Sequence, residues 1–200
     1  MPEPHGATAA RRGRPRSVKA HNAVLAATAK LLAEGGYPAA TVDAISQRSG
    51  VSKATIYKHW PSRTAVAAEA FGIQMLSVVP TPHSDDPRAD LVEQVHLVTA
   101  FYSSTAGRIF AQLLAACVTD PEGAAYFREY FLANRRAQIA ALWSRAIDAG
   151  IARPEVDVEV ATDILFGPLV FRLMTGHAEL SDANAAAIAE AALTGLLKNS

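Results

Sequence analysis

Between Thr41 and His59 the chain sets two short apolar-faced segments around a single glycine, a spacing that few folds accommodate. Thr41 can cap a helix opening on Val42-Asp43-Ala44-Ile45, and Gly50 stops it. Ser52 can cap a second helix from Lys53 to about Lys58, which His59-Trp60-Pro61 breaks, because the residue before a proline is pushed out of the helical region. These are the dimensions of a helix-turn-helix. Ala44 is small where the two helices cross, and Gly50 can take the positive φ needed to leave the first. Ile45, Val51, Ile56 and Trp60 form the buried side, while Lys53, Thr55, Tyr57 and Lys58 form an outward face able to donate to phosphates and base edges. Any tight helical hairpin has similar spacing, so the pattern needs support from elsewhere in the chain.

The rest of the chain reads as helical. Val24, Leu25, Thr28, Leu31 and Leu32 recur at spacings of three and four from Ser17 onward, and Gly35-Gly36 ends that helix. Ser62 caps a fourth helix running to roughly Val78, and Pro80, Pro82 and Pro87 mark a linker. Amphipathic segments follow from Asp90 to about Ser104, Ala106 to Val118, Glu122 to Ala149, Val156 to Thr175 and Asp182 to Lys198. With no alternating strand pattern, the expected fold is all-α with about nine helices. Three units are expected: a flexible basic arm over 1–16, a helix-turn-helix domain over 17–64, and a helical effector-binding and dimerisation domain over 65–200.

The formal net charge of zero conceals a strong division. Residues 1–64 hold ten Lys and Arg against three acids, whereas residues 65–200 hold nine against sixteen. Such asymmetry suits a polyanion at the N-terminal part. No apolar run is long enough to span a membrane, and no apolar block follows the N-terminal arginines as a secretory signal requires. A single cysteine, Cys117, excludes an internal disulfide and cysteine-rich zinc modules. The expected location is cytoplasmic. His59 has no neighbouring His or Cys to share a metal, and no catalytic signature is present, so neither cofactor nor enzyme activity is expected. The acids Glu155, Asp157, Glu159 and Asp163 cluster where a helix start favours them.

The run from Thr41 to Arg63, together with Gly36-Tyr37 before it, closely resembles the signature of the tetracycline-repressor (TetR) family, over about 50 residues from Ser17 to Val66. Trp60 stands where the family usually has phenylalanine, a departure shared by a subgroup with Trp-Pro-Ser. Leu165-Phe166-Gly167-Pro168-Leu169 resembles a subgroup's penultimate helix.

The resemblance implies a dimeric transcriptional regulator on double-stranded DNA, a repressor that reads a palindromic operator. Thr41 would offer its hydroxyl and helix start to a phosphate. Ser52, Lys53, Ala54 and Thr55 would enter the major groove, with Lys53 reading a guanine. Tyr57, His59 and Arg63 would grip phosphates, and Lys58 would serve backbone or base. Arg12, Arg14 and Arg16 lie in an Arg-Gly-Arg-Pro arm similar to an AT-hook, suited either to a narrow minor groove or to loose phosphate attraction.

The resemblance also implies release by a small hydrophobic or amphipathic effector. Candidate contacts are His96, Phe101, Tyr102, Phe110, Gln112, Leu114, Cys117, Tyr126, Phe127, Trp143, Phe166 and Met174, although aromatic residues at helical spacing also serve as plain core. The last two helices would form a homodimer through Ile164, Leu165, Leu169, Leu173, Ile188, Ala192 and Leu196, with Gly167-Pro168 suggesting a kink. An architectural DNA binder without ligand control is the alternative, and it would show little sequence preference.

Overall fold

The computed structural model describes residues 14–76 and 78–196, with side chains from Val18 onward. Its elements are α1 (Arg14–Ala39), α2 (Val42–Ser49), α3 (Lys53–His59), α4 (Arg63–Met75), α5 (Pro87–Ser103), α6 (Thr105–Cys117), α7 (Pro121–Phe127), α8 (Ala133–Asp148), α9 (Val158–Thr175) and α10 (Asp182–Leu196). A π-helical turn, Arg128–Leu132, joins α7 to α8, so residues 121–148 form one continuous rod, as the sequence pattern suggests. Counting that rod once leaves nine helices and no β-strand among the described residues.

Four boundaries follow from side-chain chemistry. Asp86 caps α5 by accepting from the Arg88 and Ala89 amides, with Pro87 at the first helical position, where a missing N–H costs nothing. Asp120 and Pro121 repeat the device at α7, and Asp157 caps α9. At the end of α1, Gly36 takes φ 68°, which a side chain rarely adopts. A Cβ there would also meet Gln112 Oε1 at 2.6 Å and push that side chain aside.

Two expected boundaries shift. Helix α1 begins at Arg14 rather than Ser17, which puts Arg14 and Arg16 in its first turn; Arg12 lies outside the described residues. Proline at position 15 fits there because the first turn has no carbonyl partners for its N–H groups. Helix α4 stops at Met75 rather than Val78. The guanidinium of Arg135, on α8, donates to the carbonyls of Met75 and Val79 (the latter at 2.7 Å) and ends the helix there. Helix α9, by contrast, continues through Pro168 as one element.

One buried apolar cluster runs from Val24 and Leu32 in α1 to Leu193 and Leu196 in α10. Helix α4 is its shared member: it begins beside the helix-turn-helix and packs along α7 and the π turn. Gly72 permits this approach, since a Cβ there would meet the Tyr130 carbonyl oxygen at 2.4 Å. The linker into α5 is pinned rather than loose. The buried Asp90 carboxylate accepts from the Ser84 amide and hydroxyl, and from Arg145 at 2.6 Å. Desolvation raises the Asp90 pKa, but these donors outweigh it and hold the carboxyl below its usual value.

Candidate nucleic-acid interface and effector cavity

The first helix of the motif, α2, is set by its two caps. Thr41 Oγ1 accepts from the Ala44 amide at 3.1 Å, which leaves the hydroxyl proton to donate outward. Gly50 closes α2 at φ 69°, its amide bonded to the Ser46 carbonyl. Ser46 then donates to the Val51 carbonyl at 2.7 Å, and Ser52 caps α3 through the Thr55 amide. These local hydrogen bonds fix the α2–α3 angle.

Helix α3 buries Ile56 and exposes Lys53, Ala54, Tyr57 and Lys58, with Thr55 and His59 half-buried. The structure brings Ser52, Lys53, Ala54, Thr55, Tyr57 and Lys58 onto one turn-and-helix surface, as expected. In the free protein Lys53 is paired with Asp43 in the first turn of α2. Both partners are more than half exposed, so the pair is worth little and yields to a stronger anion. Arg63 lies with its guanidinium 3.9 Å over the Tyr37 ring. That stacking orients the group without neutralising it.

What holds α3 in place is Trp60, expected on the buried side, together with Glu69 and His21, which sequence reasoning passed over. Trp60, immediately after α3, is buried, and its indole N–H donates to Glu69 Oε2 at 2.6 Å. Glu69 is itself buried in the alanine-rich α4, and its other oxygen lies 3.0 Å from His21 Nε2 on α1. The His21 ring stacks on Trp60 at 4.6 Å and meets His59 edge-on at 6.1 Å. One carboxylate therefore ties α1, the end of α3 and α4 together. A lone acid within Ala65-Val66-Ala67-Ala68-Glu69-Ala70-Phe71 was the available signal.

Two further contacts reach across to the C-terminal helices, and a third, between Tyr37 and Thr64, joins α1 to α4. The Tyr126 hydroxyl donates to the His59 carbonyl at 3.2 Å. Gln112 Oε1 accepts from the Tyr37 amide at 2.8 Å, and the Tyr37 hydroxyl lies 2.9 Å from Thr64 Oγ1. The Asp120 carboxyl, raised by desolvation, is held below its usual value overall by hydrogen bonds from Ser62, the Gly123 amide and Thr64.

Within the C-terminal helices lies a cavity of about 480 Å³, lined largely by rings and aliphatic chains. Of the candidates, it gathers Phe101, Tyr102, Phe110, Leu114, Phe127, Phe166 and Met174. Phe131, Gln94 and Arg135 also line it and were not foreseen. The remaining candidates lie elsewhere. Trp143 is core. His96 faces Asp182 at 3.8 Å, and Gln112 and Tyr126 serve the contacts described above. Cys117 is half-buried outside the cavity. Burial and then Asp120 push its thiol up, and Arg128, whose proximity the sequence did not suggest, offsets this only in part.

Comparison with known proteins decides the family. Residues 24–70 match the model for bacterial regulatory proteins of the tetR family, and residues 81–192 match the tetracyclin repressor-like C-terminal domain. The chain belongs to the TetR family of transcriptional regulators. It is similar to the uncharacterized HTH-type transcriptional regulator YdeS of Bacillus subtilis (strain 168), with 36% identity over 86% of this chain and 87% of that one. It is also similar to the crystal structure of the TetR family transcription regulator SCO0332, with 34% identity, a TM-score of 0.76, and coverage of 89% and 98%. A likeness of fold alone joins it to the regulator FadR from Bacillus subtilis in complex with stearoyl-CoA: 18% identity, TM-score 0.64, coverage 88% and 99%. As a TetR-family protein it is a DNA-binding transcription factor rather than an enzyme.

For a TetR-family chain the surface of α9 and α10 matters, and here the sequence-based set divides. Leu165, Leu169, Ala192 and Leu196 are buried within the protomer and so are unavailable to a partner. Leu173 and Ile188 are half-buried, and Ile164 is 42% exposed. Val160 and Ile164 project from α9 into solvent with Pro168, while Gly167 and Phe171 are exposed but also line the cavity. On α10 the exposed stripe is Ala183, Ala187, Ala191 and Gly195. No described helix is long and apolar enough to cross a membrane.

The buried carboxylate makes a direct prediction. Trp60→Phe keeps the ring but leaves Glu69 Oε2 without a donor, and should lower stability by about 1–3 kcal/mol. Urea titration of the variant checks this, and an unchanged midpoint would show that the bond carries no weight.

Proposed function

We propose that this regulator is a repressor that binds a palindromic operator as a two-fold dimer and is released by a small molecule entering the C-terminal cavity. The observation that carries this reading is the pairing of an outward recognition helix with a separate apolar cavity, with helix α4 packed between them. At DNA, the Lys53 ammonium leaves Asp43 for the O6 and N7 acceptors of a guanine. Thr41, Tyr57, His59 and Arg63 take phosphates, and Lys58 takes backbone or base. Ser52, Ala54 and Thr55 sit where α3 enters the groove. The basic arm, with Arg12, Arg14 and Arg16, adds attraction to the duplex next to the motif.

The dimer is built on the exposed stripe of α9 and α10. Val160, Ile164 and Phe171 supply apolar area, and the alanines of α10 allow close approach. Such a dimer sets two recognition helices about one helical turn apart, roughly 34–36 Å. The cavity suits an effector with an apolar body, and FadR, with the same fold, holds stearoyl-CoA. The protein acts in the cytoplasm, where the DNA is.

Two measurements test the reading. Ile164→Glu should leave a folded monomer by sedimentation and circular dichroism, because Ile164 faces away from the protomer core; a dimer that persists would place the interface elsewhere. On DNA fragments selected from a genomic pool, Lys53→Ala should reduce discrimination between operator and mismatched sites. Arg63→Ala should instead weaken all duplexes alike and lower the salt slope by about one. Identical behaviour of the two variants would contradict the division of base and phosphate roles.

A further inference from the structure

The cavity carries a charge pattern that names a class of effector, an inference that rests on the effector-release reading above. Three charged side chains line it: Arg135, Arg136 and Asp163. Arg136 is neutralised by Glu159 and by Asp163 at 3.2 Å, both on α9. Arg135 is different. It is half-buried, and among the described residues no carboxylate lies within ion-pair distance of it. Its hydrogen bonds go to neutral oxygens: the carbonyls of Met75 and Val79, and Gln138 Oε1 at 3.0 Å. A cation drawn out of water beside phenylalanine rings, with no counter-charge, is costly to keep and favours an anion that reaches it. Gln94 also lines the cavity; it is 4% exposed, and its Oε1 is buried with no hydrogen-bond partner.

We propose that the cavity takes a compact amphipathic anion, with a ring-sized apolar body, a carboxylate or sulfonate bound by Arg135, and an N–H or O–H donated to Gln94. The volume, about 480 Å³, lies within the range of sites for drug-sized ligands and holds a two-ring aromatic body with room to spare. Met75, Val79 and Gln138 occupy three of the five guanidinium N–H groups, so an anion that draws Arg135 into the cavity competes with the two carbonyls that end α4. Binding of the acid therefore loosens the C-terminal turn of α4, the helix whose Glu69 anchors Trp60 behind α3. A neutral molecule of the same shape fills the cavity and leaves that turn closed.

Two fluorescent probes with one skeleton separate these effects: 8-anilinonaphthalene-1-sulfonate, and the neutral N-phenyl-1-naphthylamine. Both carry the N–H for Gln94, and only the first carries the acid. In the full-length protein, Arg135→Gln should weaken the sulfonate at least about tenfold and leave the neutral probe within about threefold, with Arg135→Lys between the wild type and Arg135→Gln. Equal loss of both probes, or no loss of either, would overturn the assignment of Arg135 to the anion and leave it as a cap on α4. Val98→Trp, which fills the cavity without touching Arg135 chemistry, should weaken both probes; if it weakens neither, the cavity itself is not their site, and the effector reading fails separately. Hydrogen exchange on the wild type gives a readout that needs no variant. The sulfonate should speed exchange of the amides of residues 73–76 and the neutral probe should not; equal rates would overturn the link to α4.

Discussion

A single carboxylate, that of Glu69, ties the end of α3 to α1 and α4. It is buried, so it must be fully partnered, and its two oxygens are met by His21 from α1 and by the indole of Trp60 at the end of α3. Helix α3 is only seven residues long and could not hold its own position in water. Its start is fixed by the Gly50 turn and the Ser52 cap, and its end by Trp60. The outward placement of Lys53, Tyr57 and Lys58 depends on both.

Because Glu69 belongs to α4, the recognition helix is positioned by whatever positions α4. The N-terminal end of α4 is held where Ser62 and Thr64 meet Asp120, and where Thr64 meets Tyr37. Its middle lies against Tyr130 at Gly72, a place that a side chain would block. Its C-terminal end is held by Arg135 from the cavity wall. Helix α4 is thus gripped along its length by helices outside the motif.

Much of this was legible in the sequence. The caps at Thr41, Ser52 and Ser62 and the breaks at Gly50 and Pro61 are local chemistry, and α2, α3 and α4 start where those signals put them. The all-α fold and the outward face of α3 followed from periodicity. The effector and dimer residues were only half legible, for a common reason: apolar periodicity says that a residue is covered and does not say by what. Leu165 and Leu169 read as interface and are protomer core, whereas Val160 and Phe171 on the same helix are exposed. Long-range polar pairs were not legible at all. Glu69 with His21, Asp90 with Arg145, and Arg135 with the end of α4 join residues 48 to 60 positions apart, beyond any local pattern.

The central claim is that the α3 surface reads sequence rather than merely binding a polyanion. The most direct measurement is the ratio of dissociation constants for a selected operator duplex and a scrambled duplex of the same composition, taken at one physiological salt concentration. A sequence-reading regulator should favour the operator by at least about 10³. Equal affinity for the two duplexes would contradict it and make the protein an architectural DNA binder.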